Sequence, residues 1–151
     1  MTNAAPAASF VIRAFQSADR PALEALWSDV FAGDPPRNAP SSLIDRKLTV
    51  QPDLLLVAIS DATLVGAVMA GFDGVRGWIH HLAVAPSRRR RGIATALVRA
   101  AEAGLRGLGC PKVNLQVRAS NDQVVAFYQR LGYATEERIS MGRQLEPKGQ
   151  V

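Results

Sequence analysis

Between Gly77 and Leu108 the apolar residues change their spacing once, and that change limits the folds open to the chain. "GWIHHLAV", residues 77–84, is apolar on both faces, as a strand inside a sheet is. From Gly92 onward the period is helical. Ile93, Leu97, Ala101, Leu105 and Leu108 form one stripe, while Arg99 and Arg106 fall on other faces. The turn between the two, "APSRRRR", holds four consecutive arginines. A central strand feeding a long amphipathic helix through a basic turn calls for a sheet covered by helices.

The flanking segments extend this pattern. "SFVIRAF" reads as a strand, followed by a helix with Leu23, Leu26, Trp27 and Val30 at helical spacing, Asp19 placed to cap it and Pro21 in its first turn. "AGDPPRNAPSS" is too rich in Pro, Gly and Asp for regular structure, so residues 33–42 are a candidate substrate lid. Ser42 and Asp45 resemble a capping box for a short second helix. "LLLVAIS" and "LVGAVMAGFD" make an antiparallel hairpin around Asp61, Ala62 and Thr63, and a turn over residues 74–77 leads into the strand above. After "GLGCP" ends the long helix, "KVNLQV" is a strand. "NDQVVAFYQRLG" is a helix capped by Asn121 and ended by Gly132, and "YATEERISMGRQL" is a closing pair of strands. The predicted order is β-α-α-β-β-β-α-β-α-β-β, an α/β (α+β) arrangement. A flexible tail over residues 1–8, a single domain over 9–146 and a tail over 147–151 complete it.

Composition narrows the function classes. A length of 151 residues suffices for one self-supporting core, and 48% hydrophobic with 21% charged residues is the balance of a soluble globular chain. The lone Cys110 excludes an intramolecular disulfide framework and any CxxC metal or redox motif. No apolar run reaches the ~18 residues of a membrane span, and the small, polar start lacks a signal-peptide pattern, so the expectation is a cytoplasmic protein without a membrane partner. A net charge of +5 favours anionic partners without choosing among nucleic acid, lipid and phosphorylated cofactors. Position decides among them. A helix N-terminus presents unpaired N–H groups and a partial positive charge, so an arginine-rich turn ending in Gly92 suits a pyrophosphate.

Two motifs sharpen this reading. "RRRGIA", residues 89–94, matches the Q/R-x-x-G-x-G/A pyrophosphate loop of the GNAT superfamily of acetyl-CoA-dependent N-acyltransferases, and "HLAVAP" just upstream resembles that family's fourth strand and its exit. "NDQVVAFYQRLGY", residues 121–133, resembles its N-x-x-A-x-x-x-Y-x-x-x-G-F/Y segment. Val124 stands where the family usually has Ala, and Ala94 where many members have Gly. The element order also fits the GNAT fold, whose mostly antiparallel central sheet is flanked by helices. The resemblance covers nearly the whole chain and is closest to small single-domain bacterial members.

The resemblance implies acetyl-CoA as cosubstrate, no metal, and a small-molecule or protein amine as acceptor. It places the pyrophosphate on backbone N–H groups of Arg90, Arg91, Gly92, Ile93, Ala94 and Thr95, with Arg89 and Arg91 as side-chain contributors. The pantetheine arm would run along Leu82, Ala83 and Val84 and meet Asn121. The Leu82 amide would face the thioester oxygen, and Tyr128 would hold the general-acid position. A CoA thiol near ~8.5 and a tyrosine near ~10 make that proton transfer feasible. His80 occupies a strand position at which some members carry a catalytic histidine. Alternation sets Trp78, His80, Leu82 and Val84 on one side of the strand and Ile79, His81 and Ala83 on the other. The base is therefore His80, or His81, or a water relay, or absent. Nothing beside Cys110 in sequence would activate it as a nucleophile, so direct attack in a ternary complex is expected. Two other functions compete. One is a nucleic-acid-binding module built on residues 88–91, disfavoured by the lack of interleaved aromatics. The other is a CoA-binding sensor without catalysis. Dimers are common in the family, so a homodimer is compatible.

Overall fold

The computed structural model describes residues 9–145, so both expected tails lie outside it. Two compact units, residues 1–116 and 117–151, are treated in turn.

The first unit is a five-stranded sheet in the order β1-β2-β3-β4-β5. Its strands are β1 (Val11–Ala14), β2 (Leu55–Ser60), β3 (Thr63–Phe72), β4 (Gly77–Val84) and β5 (Val113–Leu115). All neighbours are antiparallel except β4 and β5, which run parallel. The β2–β3 turn has only Asp61 and Ala62 between Ser60 and Thr63, both with positive φ (50° and 58°). That is the turn whose twist matches a right-handed hairpin. At the next turn the Asp73 carboxylate accepts from the N–H groups of Arg76 and Val75, both at 2.8 Å, which holds its pKa below the usual aspartate range.

Helices α1 (Arg20–Val30) and α2 (Pro40–Lys47) cover one face of the sheet, packing Leu23, Leu26, Trp27 and Ile44 on Leu55, Val57, Ala67 and Ala83. Helix α3 (Ile93–Gly107) covers the other. A Cβ on Gly66 would meet Ile93 and Leu97 at 3.1 Å, and one on Gly77 would meet Cys110 Sγ at 2.7 Å, so both glycines let the helix side approach the sheet. The α3 stripe is buried at Ile93, Leu97, Val98, Ala101 and Leu105. Leu108 is outside it, half exposed where the helix has stopped at left-handed Gly109. There Gly109 N–H donates to Arg106 O and Cys110 N–H to Leu105 O, the paired closure that satisfies the last carbonyls.

Neither side-chain cap expected at the starts of α1 and α2 forms. Asp19 precedes α1, but its carboxylate grips Arg13 through two bonds of 2.7 and 2.9 Å and accepts Gln16 N–H. Asp45 reaches across to Arg20 at 2.8 Å, and α2 begins at Pro40 behind Ala39. Carboxylates suited to local caps are here drawn into ion pairs between elements, which joins α1 to β1 and to α2.

The second unit contains α4 (Asp122–Arg130). Asn121 caps it by accepting Val124 N–H at 3.3 Å, and Gly132, with φ of 99°, ends it. Gly132 N–H donates to Gln129 O and Tyr133 N–H to Tyr128 O, and the Tyr133 ring closes edge-on over Tyr128 at 5.5 Å. This is the hydrophobic contact that accompanies such a helix end. The closing strand pair expected over residues 133–145 does not form. Alternation alone makes no strand, because a strand exists through its ladder and this segment has none among the described residues. Ile139 and Met141 stay 90% exposed.

Candidate active site

The site is assembled around a defect in the β3–β4 ladder. Ala67 pairs with Ala83 and Met69 with His80, so three residues of β3 face four of β4, and His81 and Leu82 together oppose Val68. Such a bulge reverses the face of every residue beyond it. Ala83 therefore shares its face with His80, and Val84 shares its face with Ile79. This differs from the simple alternation read from sequence. His81 takes the left-handed conformation (φ 53°), which turns its ring to the α1 side as well. Both histidines consequently serve the same face of the sheet.

The bulge is held from α1. Trp27 Nε1–H donates to His81 O at 3.1 Å, and Trp27 and Phe31 meet the His81 ring edge-on at 5.5 and 4.7 Å. Trp27→Phe would leave that carbonyl without its donor. A stability loss of about 1–3 kcal/mol is expected, read as a lower urea midpoint at constant slope; an unchanged midpoint would show that the indole does not hold the bulge.

Beyond the bulge β4 loses a neighbour. Its parallel ladder with β5 covers only Gly77, Trp78 and Ile79, opposite Val113, Asn114 and Leu115. The 80–84 half of β4 thus lines an edge from which β5 has departed. From Val84 the chain passes through the short turn Pro86–Arg88 to α3. Arg90 (φ 63°) and Gly92 (φ 81°) are both left-handed and fold the chain tightly ahead of the helix. No side chain caps α3, so its first-turn N–H groups lack both intrahelical and capping partners. A Cβ on Gly92 would have nothing within 4 Å, which leaves the approach to those groups open. A pyrophosphate fits this end of α3.

The four arginines divide their work. Arg88 Nη1 reaches the Ser60 hydroxyl on β2 at 3.3 Å, and Arg89 Nε donates to Val84 O at 3.3 Å. These two brace the turn. Arg89, Arg90 and Arg91 are exposed and Arg88 is partly buried.

On the α1–α2 face, His80 keeps an exposed edge and stacks with Trp78 at 6.4 Å. Partial burial lowers its pKa below 6.5, and the charges of His81 and Lys47 push the same way. The His81 Nε2 lies 3.2 Å from Asp34 Oδ2. Burial lowers the pKa of His81 too, opposed by the charge and hydrogen bond of Asp34. Both shifts favour the neutral form of the ring, which can accept a proton. Lys47, at the end of α2, is buried with Nζ donating to Ala70 O (2.5 Å) and Val50 O (2.9 Å), and burial lowers its pKa.

In the second unit Tyr128 is buried, with Phe127 edge-on at 5.0 Å, and burial pushes its phenol up to about 12.

Residues 20–133 match the family model described as "Acetyltransferase (GNAT) family". The chain belongs to the GNAT acetyltransferase family. It is 43% identical over 136 residues to an acetyltransferase of Pectobacterium atrosepticum and 42% identical over 136 residues to one of Yersinia enterocolitica. In each comparison the match covers 89% of this chain and 94% of the relative. Its fold is similar to that of AAC(6')-Iy in complex with the bisubstrate analog CoA-S-monomethyl-acetylneamine. There the TM-score is 0.76 at 22% identity, covering 91% of this chain and 99% of the other. As a GNAT member the chain is an N-acetyltransferase, with a mixed α/β, mostly antiparallel sheet flanked by helices.

Within this GNAT chain the β4 edge, the turn and the α3 N-terminus, picked out from sequence, are contiguous in the first unit. Asn121 and Tyr128 share one helix of the second. Sequence reasoning missed the pairing of Asp34 with His81, because 47 residues separate the two. It also passed over Lys47, whose burial no local pattern announces.

Proposed function

We propose that the chain acetylates a primary amine by direct attack within a ternary complex, with acetyl-CoA seated on β4, the 89–92 turn and α3. The observation that carries this is the uncapped, open α3 N-terminus at Gly92, reached directly from a strand edge that β5 has vacated. Acetyl-CoA, when bound, supplies an acyl thioester already activated toward amines. Backbone N–H groups of residues 90–95 hold the pyrophosphate, where the helix dipole adds about 0.3–2 kcal/mol. Arg91 is free to swing onto a phosphate, whereas Arg89 contributes mainly by bracing Val84 O. The backbone of Leu82, Ala83 and Val84 orients the pantetheine arm, and Leu82 N–H is the donor toward the thioester oxygen. Asn121 aligns the arm while capping α4. Tyr128 donates to the departing sulfur. A histidine on β4 removes the proton that keeps the amine from attacking.

Cys110 has no part in this scheme. Its Sγ–H donates to Lys112 O at 3.3 Å beside Gly77, so the thiol is spent on the α3–β5 connection. The test is thiol release from acetyl-CoA, with and without a panel of primary amines, alongside the intact mass of the protein after acetyl-CoA alone. Amine-dependent release with an unmodified mass is expected. A kinetically competent acyl group on Cys110 would replace direct attack with an acyl-enzyme route.

A further inference from the structure

Lys47, the last residue of α2, is only 7% exposed, and no carboxylate among the described residues pairs with it. An ammonium carries three N–H donors, and the carbonyls of Ala70 and Val50 take two of them. A buried cation held by dipoles without a counter-charge is costly, and an anion arriving beside it offsets part of that cost. Space for one lies over Gly71 on β3, which is itself partly exposed. A Cβ built there would stand 3.7 Å from Lys47 Nζ and 3.5 Å from Gln51 Oε1, with nothing else within 4 Å. Gln51 fixes the far wall of this notch. Its amide brackets Phe72, accepting the N–H at 2.8 Å and donating to the carbonyl at 2.9 Å.

The notch adjoins the histidine face of β4. Gly71 pairs with Trp78 and Met69 with His80, so these four share one face of the sheet. The Trp78 and His80 rings are parallel to within 14°, neither is fully buried, and the Lys47 charge reaches His80. Leu82, the residue assigned to the thioester oxygen, lies two residues beyond His80 and four beyond Trp78. At about 3.3 Å per residue, the notch and the reacting carbon are about 7–13 Å apart.

Resting on the acetyl-transfer reading above, we propose that the notch over Gly71 binds a carboxylate of the acceptor through Lys47, so that the substrates are amino acids whose amine and carboxylate stand several atoms apart. The carboxylate accepts the third N–H of Lys47, a charge-assisted bond. The chain between the two groups runs along Trp78 and His80 toward Leu82. An α-amino acid is too short to reach both ends. One lysine in so narrow a space answers a single carboxylate charge and not the double charge of a phosphate.

The test measures kcat/KM for 6-aminohexanoate, 8-aminooctanoate, their uncharged amides, glycine and phosphoethanolamine, using wild type, Gly71→Ala and Lys47→Met. Each long carboxylate is expected to exceed its own amide by about tenfold or more, the worth of a hydrogen bond to a charged group. Both should also exceed glycine and phosphoethanolamine. In Gly71→Ala the added methyl makes only ordinary contacts in the free protein yet fills the notch, so the carboxylate-to-amide ratio should fall to about one. Lys47→Met should lower the ratio in the same way. Because the ratio is taken within one protein, a variant that is merely less stable lowers both rates together and leaves the ratio unchanged. Independently of turnover, 6-aminohexanoate without acetyl-CoA should shift the Gly71 amide signal in NMR in wild type and not in Lys47→Met. An amide used as well as its carboxylate by wild type, a ratio unmoved by Gly71→Ala, or an unresponsive Gly71 amide would each overturn the proposal, as would glycine or phosphoethanolamine as the better acceptor. Absence of thiol release with every amine while the Gly71 amide still responds would instead overturn the acetyl-transfer reading and leave the notch as a carboxylate-binding site.

Discussion

Gly92→Glu is expected to weaken acetyl-CoA binding by about a hundredfold or more, while Arg88→Ala changes it by less than about threefold. A hundredfold corresponds to about 2.8 kcal/mol, and two physical effects together exceed it. The left-handed φ of 81° costs any L-residue about 1–2 kcal/mol. A carboxylate near the phosphates adds a repulsion of about 4 kcal/mol at an effective dielectric constant of about 20 and a separation of about 4 Å. Gly92→Ala separates the two: its Cβ enters open space, so only the backbone strain remains, and a loss of about tenfold or less is expected. Arg88 points away from this work, toward Ser60 on β2, and its removal should register in stability before affinity. Equilibrium binding of CoA to the three variants gives the order directly. Should Arg88→Ala prove the most damaging, with strongly salt-dependent nucleic-acid binding beside it, the arginine run would be a binding patch and not a brace.

Tyr128→Phe is expected to reduce kcat by about a hundredfold, within the usual range for loss of a positioned proton donor, with KM for acetyl-CoA changed less than about threefold. Phenylalanine keeps the edge-on contacts with Phe127 and Tyr133, so the helix end should remain intact. With the phenol pushed up to about 12, Tyr128 stays protonated across the working pH range, and kcat should show no alkaline limb from it up to about pH 10. The same burial changes how the residue helps. Complete proton transfer from a phenol near 12 to a thiolate near ~8.5 is uphill by about 5 kcal/mol. In the proposed scheme Tyr128 would therefore act chiefly as a hydrogen-bond donor to the sulfur, and the proton that the thiol finally carries would come from the nitrogen that forms the new bond. Unimpaired turnover in Tyr128→Phe would remove the residue from the mechanism.

The parts of the site that sequence made legible are those whose geometry is local. A glycine after a basic turn and before a helical stripe specifies a left-handed, uncapped helix start, and Gly92 is that residue. Asn121 and Gly132 bracket α4 as expected because caps depend on a few neighbouring residues. The β2–β3 hairpin turn is likewise local. Where a residue had a choice between a neighbour and a distant partner, local reading failed. Asp19 and Asp45 suit helix caps by position but find Arg13 and Arg20 instead.

By itself the sequence determined the strand–turn–helix unit proposed to receive a pyrophosphate, the helix that carries Tyr128, and through them the GNAT family. Tertiary structure alone decided which histidine faces what. One extra residue in β4 against β3 reversed the faces beyond His80, and Trp27 from α1 held the bulge by its carbonyl. That brought both imidazoles to one side and set His81 against Asp34. A bulge is a property of two strands in register, and an ion pair across 47 residues is a property of the folded chain; neither is written in the spacing of any one segment.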